Sequence, residues 1–340
     1  MNHPGGDGGS GSGTVDAPGQ GSGTADAAMT PTGDIQIIVE PNGNKASELV
    51  TAINNAQHSV YMTMYEIDHQ GIVDALVAKA KAGLDVQAVI DGSSTTKSFN
   101  MSAFTTLQTA GVGIVWSSPS FTYTHEKTVI IDDSVAWIMT MNANTSSPAD
   151  NREYLAIDTS AADIAEATAV FKADHAMQKI TPTGALVVAN SNARPDLYAL
   201  ITSATTSLDV EVEELSDTDN NGIVDGIVAV AKKHIPVHVV VANAGPDATS
   251  DNMIKSAGGS VVMTGPTSDS GTGTNPYIHA KAILVDCSGT NCRTGFVGSE
   301  NFSAGSLGYN RELGVIFDDQ AQLAKVKTAI DTDFAAGVAQ

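Results

Sequence analysis

Tyr277-Ile278-His279-Ala280-Lys281-Ala282-Ile283-Leu284-Val285-Asp286, with Gly298-Ser299-Glu300-Asn301 beyond it, is the stretch from which the rest of this chain is read. Its form is His-x-Lys-x4-Asp, then Gly-Ser-x-Asn. A first copy stands upstream at Thr124-His125-Glu126-Lys127-Thr128-Val129-Ile130-Ile131-Asp132, followed by Met139-Thr140-Met141-Asn142. Each copy runs into four residues rich in β-branched and aliphatic side chains, the signature of a buried strand. On an extended chain, side chains two apart share a face. His125 therefore goes with Lys127 and His279 with Lys281, while Asp132 and Asp286 fall on the opposite parity and read as turn or ion-pair residues.

Working outward, the surroundings of the two copies repeat as well. Asn142 is followed nine positions later by Asn151-Arg152-Glu153, and Asn301 at the same interval by Asn310-Arg311-Glu312. Gly222-Ile-Val-Asp-Gly-Ile-Val-Ala-Val-Ala echoes Gly71-Ile-Val-Asp-Ala-Leu-Val-Ala-Lys-Ala, and Leu208–Glu214 matches Val60–Glu66. Matching spacing over half the chain is an internal duplication. It divides the sequence into residues 34–182 and 183–340, with the boundary near Thr181–Gly184. Within the first half, strand-like Ile35–Val39, Val60–Met64 and Val86–Ile90 alternate with helix-like Lys45–Ala56 and Gly71–Lys81. Such alternation predicts an α/β fold with parallel strand pairing and helices on the sheet faces.

Residues 1–33 are a run of small and polar residues without Lys, Arg or aromatic side chains. They offer too little apolar surface to offset the entropy of ordering, and read as a disordered Gly/Ser-rich linker. No charged start followed by an apolar stretch marks a signal peptide there, and no apolar run is long enough to span a bilayer. The composition, 42% hydrophobic over 340 residues, suits a globular protein with a substantial core. A formal net charge of -21 repels polyanions at long range, which weighs against nucleic acid as a partner. The two cysteines, Cys287 and Cys292, flank Ser-Gly-Thr-Asn and either close a short disulfide loop or stand as free thiols in a hairpin. A disulfide places the protein in an oxidising compartment: secreted, periplasmic or at the cell surface.

Two imidazoles, two ammonium groups and two amides, brought face to face, suit a phosphodiester. Its cleavage needs a nucleophile, a proton for the leaving oxygen, and positive donors around the remaining oxygens. The duplicated motif resembles the phospholipase D superfamily, and the resemblance covers both copies from Asp34 almost to the end. It implies two similar α/β/α sandwich halves related by a pseudo-twofold axis, with one active site at their interface. It implies catalysis by His125, His279, Lys127, Lys281, Asn142 and Asn301 through a phosphohistidine, with no cofactor required. Glu312 would then orient His125 and Glu153 would orient His279. His125 would be the nucleophile and His279 the general acid. The expected substrate is a phospholipid at a membrane surface, hydrolysed or transferred to an alcohol by a monomer. A metal-independent nuclease of the same superfamily is the alternative.

Thr140 and Ser299, the hydroxyls of the two Met-Thr and Gly-Ser pairs, are expected at the substrate phosphate. Tyr123 and Tyr277, with Tyr65 and Phe121, flank the motif strands and either line an acyl groove or pack in the core. Met139-Thr140, where the pattern has Gly-Ser, puts a bulkier side chain behind that half of the pocket. Asp217-Thr-Asp219-Asn-Asn221-Gly222-Ile-Val-Asp225 follows the first nine positions of a calcium loop. Position 12 is Val228 rather than Glu, so the stretch is either a structural calcium site or a polar turn that starts a helix. His58, His69, His175, His234 and His238 lack comparable partners and read as surface or core residues. Gly258-Gly259 and Gly271-Thr-Gly273 read as turns.

Overall fold

The structure, a computed structural model, describes residues 34–243, 248–268 and 275–339. The predicted linker over 1–33 and the predicted turn at Gly271–Gly273 lie outside these residues. Through the first sheet the elements are β1 (Ile35–Glu40), α1 (Ser47–Asn55), β2 (Ser59–Met64), α2 (Gln70–Lys81), β3 (Asp85–Ile90), α3 (Lys97–Thr109), β4 (Gly113–Trp116), β5 (Thr128–Ile131), β6 (Val135–Met139), α4 (Ser147–Asp150), β7 (Asn151–Asp158) and α5 (Ala161–His175). There follow β8 (Val187–Val188), α6 (Ala193–Thr202), β9 (Leu208–Val212), α7 (Ile223–Ala231), β10 (Val237–Ala242), α8 (Ala248–Ser256), β11 (Ser260–Thr264), β12 (Tyr277–Ile278), β13 (Lys281–Val285), β14 (Thr294–Gly298), α9 (Ala304–Tyr309), β15 (Leu313–Phe317), α10 (Gln320–Ala336) and β16 (Val338–Ala339).

Two mixed sheets result, ordered β1-β7-β6-β5-β2-β3-β4 and β16-β11-β10-β9-β13-β14-β15-β8. Within each half the helix-linked strands pair in parallel, β2-β3-β4 in one sheet and β9-β10-β11 in the other, and between the halves β12 pairs in parallel with β7. The expectation of general parallel pairing is corrected here. Short links between β5 and β6, and between β13 and β14, cannot carry a crossover, so these strands and β7 and β15 run antiparallel. The two cysteines lie in the longer of those links and form a disulfide.

Three apolar clusters layer the molecule. One lies beneath α1, α2 and α3 on the outer face of the first sheet, with Leu49, Ile53, Leu76 and Leu107. A second lies beneath α6, α7 and α8 on the outer face of the second sheet, with Leu197, Leu200, Ile227 and Ile254. The third is shared: Ile37, Ile138 and Tyr154 from the first sheet meet Val188, Ala282, Val297 and Leu313 from the second, with Phe171 of α5 and Leu323 and Ile330 of α10. The sheets are thus the inner layers and the helices mostly the outer ones. These helices start where local chemistry directs them. The Ser160 side chain accepts from Asp163 N at the head of α5, and Asp319 from Ala321 N and Gln322 N at the head of α10.

Reciprocal ion pairs lock the two halves together. Arg152 of β7 donates to Asp333 of α10 (Nε–Oδ2, 2.5 Å), and Arg311 before β15 meets Asp174 of α5 (Nε–Oδ2, 2.8 Å). Both aspartates sit near the end of the last helix of the half opposite their arginine, and both pairs are nearly devoid of solvent. Removing one member leaves a buried charge unpaired, whereas replacing both with apolar groups does not. Arg152→Ala is expected to lower the unfolding free energy by about 3–5 kcal/mol, and Arg152→Met with Asp333→Leu by much less. Urea titration followed by circular dichroism checks both.

Candidate active site

Each motif histidine is held by the backbone of the opposite half. His125 N and Glu126 N both donate to Arg311 O at 2.9 Å, and Arg311 N donates back to Tyr123 O. On the other side β12 pairs in parallel with the start of β7, Tyr277 opposite Asn151 and Ile278 opposite Arg152. The histidines therefore stand in extended chain just before β5 and β13, and the strands themselves begin at Thr128 and Lys281. Lys127 and Lys281 are fully buried. Their ammonium groups curl back to the carbonyls of His125 (2.5 Å) and His279 (2.7 Å).

The imidazole–carboxylate pairs cross between halves. His125 Nδ1 lies 2.7 Å from Glu312 Oε2, and His279 Nδ1 2.8 Å from Glu153 Oε1. Neighbouring groups aim both carboxylates: Ser306 Oγ (2.5 Å) and Asn310 Nδ2 (3.0 Å) donate to Glu312, and Thr140 Oγ1 (2.5 Å) and Asn151 Nδ2 (3.3 Å) donate to Glu153. The expectation for Thr140 and Ser299 is corrected by these contacts. Both hydroxyls are fully buried; Thr140 supports Glu153 and accepts from Tyr154 N, while Ser299 accepts from Leu313 N. Their place behind the carboxylates, rather than at the cavity, follows from strand parity one step past β6 and β14.

With Nδ1 of each ring engaged, Nε2 is the nitrogen left for chemistry. Both rings line one cavity of about 540 Å3, together with Asn142, Asn301, Tyr65, Tyr123 and the carboxylates Glu66, Glu213 and Glu214. Tyr277 stands beside it, its hydroxyl donating to Glu213 at 3.0 Å. Tyr65 packs edge-on to the His125 ring (4.7 Å) and lies beneath the Lys127 ammonium (5.1 Å). Burial pushes the His125 imidazole below its usual range and favours the neutral ring. Burial, with the second ammonium of Lys281 nearby, brings Lys127 down to about 7. Burial would raise Glu312, but His125 beside it holds its carboxylate below the usual range.

A family model described as cardiolipin synthase, PLD-like domain, matches residues 49–175 and, a second time, 197–334. The chain belongs to the phospholipase D superfamily. Among solved structures, phosphatidylserine synthase from Haemophilus influenzae superposes with a TM-score of 0.65 at 14% identity, covering 90% of this chain and 87% of that one. Polyphosphate kinase from Porphyromonas gingivalis superposes with a TM-score of 0.67 at 15% identity over 87% of this chain, which spans only 46% of the kinase. At these identities the likeness shows a shared fold. No curated protein sequence matches the chain. The superfamily's duplicated phosphodiesterase fold is what brings the two imidazoles to one cavity here.

The remaining sequence candidates lie elsewhere. Asp132 and Asp286, each in a left-handed turn, accept from the backbone N–H groups of Gln57–Ser59 and of Thr205 and Thr206, and tie the end of β5 or β13 to the start of β2 or β9. His69 caps α2, His175 contacts Gly113 O and His238 contacts Asp209; none lines the cavity. The calcium reading of Asp217, Asp219, Asn221 and Asp225 meets a different arrangement. The guanidinium of Arg194 occupies the loop, 3.1 Å from Asp217 and 2.9 Å from Asp219, and Asp217 also accepts from Ile223 N. Among the described residues no cluster of three or more His, Cys, Asp or Glu side chains is placed to hold a metal.

Sequence reasoning missed Glu213, Ser306 and the aspartate partners of the two arginines. The signal for Glu213 was present: matching Leu208–Glu214 to Val60–Glu66 sets Glu213 opposite Tyr65. Two outcomes follow. Millimolar calcium is expected to leave the melting temperature unchanged in differential scanning calorimetry, because ligand linkage needs a vacant site. Lys127 is charged below about 7 and neutral above it, so affinity for sulfate, a dianion throughout, should fall as pH rises from 6 to 8. Lys127→Met should remove most of that fall in calorimetric titrations.

Proposed function

We propose that this protein is a phosphodiesterase of the phospholipase D type, acting on phosphatidyl headgroups through a phosphohistidine. The observation that carries the reading is the crossed pair of buried imidazole–carboxylate contacts, which leaves two Nε2 atoms facing one cavity. Asn142 and Asn301 line that cavity as donors for the phosphate oxygens, and the buried ammonium groups of Lys127 and Lys281 add positive charge behind it, so the reading needs no metal.

His125 Nε2 attacks phosphorus while His279 gives its Nε2 proton to the departing headgroup oxygen, whose bond to phosphorus breaks. His279 then takes a proton from water, or from an acceptor alcohol. The oxygen so activated attacks phosphorus and releases His125. Water yields hydrolysis and an alcohol yields headgroup transfer. Burial favours the neutral ring at His125, as a nucleophile needs. Both half-sites come from one chain, which supports a monomer. Lipid is favoured over nucleic acid by the net charge of -21 and by the glutamates at the cavity, since a polyanion would be repelled along its length. The disulfide supports export to an oxidising compartment, and no helix among the described residues is long and apolar enough to cross a membrane.

Purified protein offered phosphatidylcholine, phosphatidylglycerol and single-stranded DNA in the presence of chelator tests the reading. Release of headgroup with the DNA intact is the expected result; degradation of DNA alone would install the nuclease alternative. His125→Ala and His279→Ala should each lower kcat by about 10^3 or more. Phosphate trapped on the peptide that contains His125 identifies the nucleophile.

A further inference from the structure

Among the positions at which the two half-sites differ, one pair changes the charge beside the phosphate donors. Tyr65 follows β2 and Glu213 follows β9, each just past the strand end and each lining the cavity. In the first half the tyrosine ring backs His125 and Lys127 without giving their donors an acceptor. In the second half one oxygen of Glu213 meets every donor of the set: Lys281 Nζ at 2.8 Å, Asn301 Nδ2 at 3.1 Å and His279 Nε2 at 3.6 Å. Its other oxygen accepts from Tyr277 at 3.0 Å. Glu213 thus stands where the second half would hold a phosphate oxygen, and its side chain is 23% exposed toward the cavity.

We propose that Glu213 is a charge-selectivity residue: it cancels the positive charge of Lys281, so that the site takes a monoanionic phosphodiester and rejects a dianionic phosphomonoester. This rests on the phosphodiesterase reading and deepens it. Hydrolysis of a diester yields a monoester that keeps the same phosphate and gains charge, because its second ionisation falls near pH 6. Two buried ammonium groups on such a product would retain it. With Glu213 in place the cation set balances one negative charge, and the second is left facing the glutamate. Burial alone would push the Glu213 carboxyl up, but Lys281 and His279 hold it well below the usual range, consistent with a permanent negative charge. Coulomb energy is linear in ligand charge, so removing the carboxylate should favour a dianion by the square of the factor gained by a monoanion.

The test compares the wild type with Glu213→Gln at about pH 6.5, where Lys127 and the monoester's second ionisation are both mostly in their charged forms, using bis(p-nitrophenyl) phosphate as the diester and phenyl phosphate as the competing monoester. In Glu213→Gln, Ki for phenyl phosphate should fall at least tenfold while KM for the diester falls only by about the square root of that factor, about threefold for a tenfold fall in Ki. An unchanged or weaker Ki overturns the proposal, as does an equal change in Ki and KM. Should Glu213→Gln fail to fold, Glu213→Tyr takes its place, and Tyr65→Glu supplies the converse: phenyl phosphate must bind at least tenfold more weakly, and unchanged binding overturns the proposal. Calorimetric titration with phenyl phosphate measures the same ratio without turnover. A protein that cleaves no diester would therefore remove the phosphodiesterase reading and still give a separate answer on Glu213.

Discussion

Neither half of this protein can orient its own histidine. Glu312 of the second half holds His125, Glu153 of the first half holds His279, and all four side chains are withdrawn from water. A carboxylate taken from water is tolerated only when its remaining oxygen is also satisfied, and here Ser306, Asn310, Thr140 and Asn151 do that. The crossed contact therefore demands more than two residues at a time. It requires the whole Asn-Arg-Glu segment of one half to lie against the His-x-Lys segment of the other, at hydrogen-bonding distance.

The rest of the interface follows from that demand. Parallel bridging of Tyr277–Ile278 onto Asn151–Arg152, and of Thr124 onto Arg311, brings the backbones into register. The arginine between the amide and the carboxylate points away from the site and is taken up by an aspartate near the end of α10 or α5. Three consecutive residues thus serve three ends: Asn steadies Glu, Arg bolts the halves, and Glu orients the foreign imidazole. Rigid support of this kind keeps two nitrogens aimed at a single cavity without reorganisation during reaction.

Departures from the duplication are concentrated in the second half. Gly298 and Gly314 there lie against the buried side chains of Phe296 and Glu300, and a Cβ at either position would collide with them. The first half fills the corresponding places with Met139, Met141 and Leu155. Burial pushes the Glu300 carboxyl well above its usual range and favours its neutral form, packed where the other half has a thioether. Glu213 in place of Tyr65 is a departure that reaches the cavity and sets a carboxylate on Lys281, Asn301 and His279. A protein with an inherited twofold plan has therefore been made electrostatically one-sided while its imidazole–carboxylate geometry stays paired.

The sequence by itself determined the duplication, the two His-x-Lys pairs, the Asn-Arg-Glu repeats and the helices α1 and α2, because each is written in local spacing. Parity on an extended chain was enough to remove Asp132 and Asp286 from the site, and the short loop between Cys287 and Cys292 was enough to suggest their bond. Tertiary structure alone decided what lies between distant segments. Strand direction in β5–β7 depended on link length and sheet order, and the orientation of Thr140 and Ser299 depended on what lay behind their strands. The acidic loop at Asp217 reads as a cation site in isolation, and only the fold brings Arg194, from the head of α6, to supply the cation. Glu213 reads as one more acidic residue until packing sets it on Lys281, Asn301 and His279. Hydrogen bonds and ion pairs act over a few ångströms in space, and in this chain the decisive ones join residues from 23 to 187 positions apart in sequence.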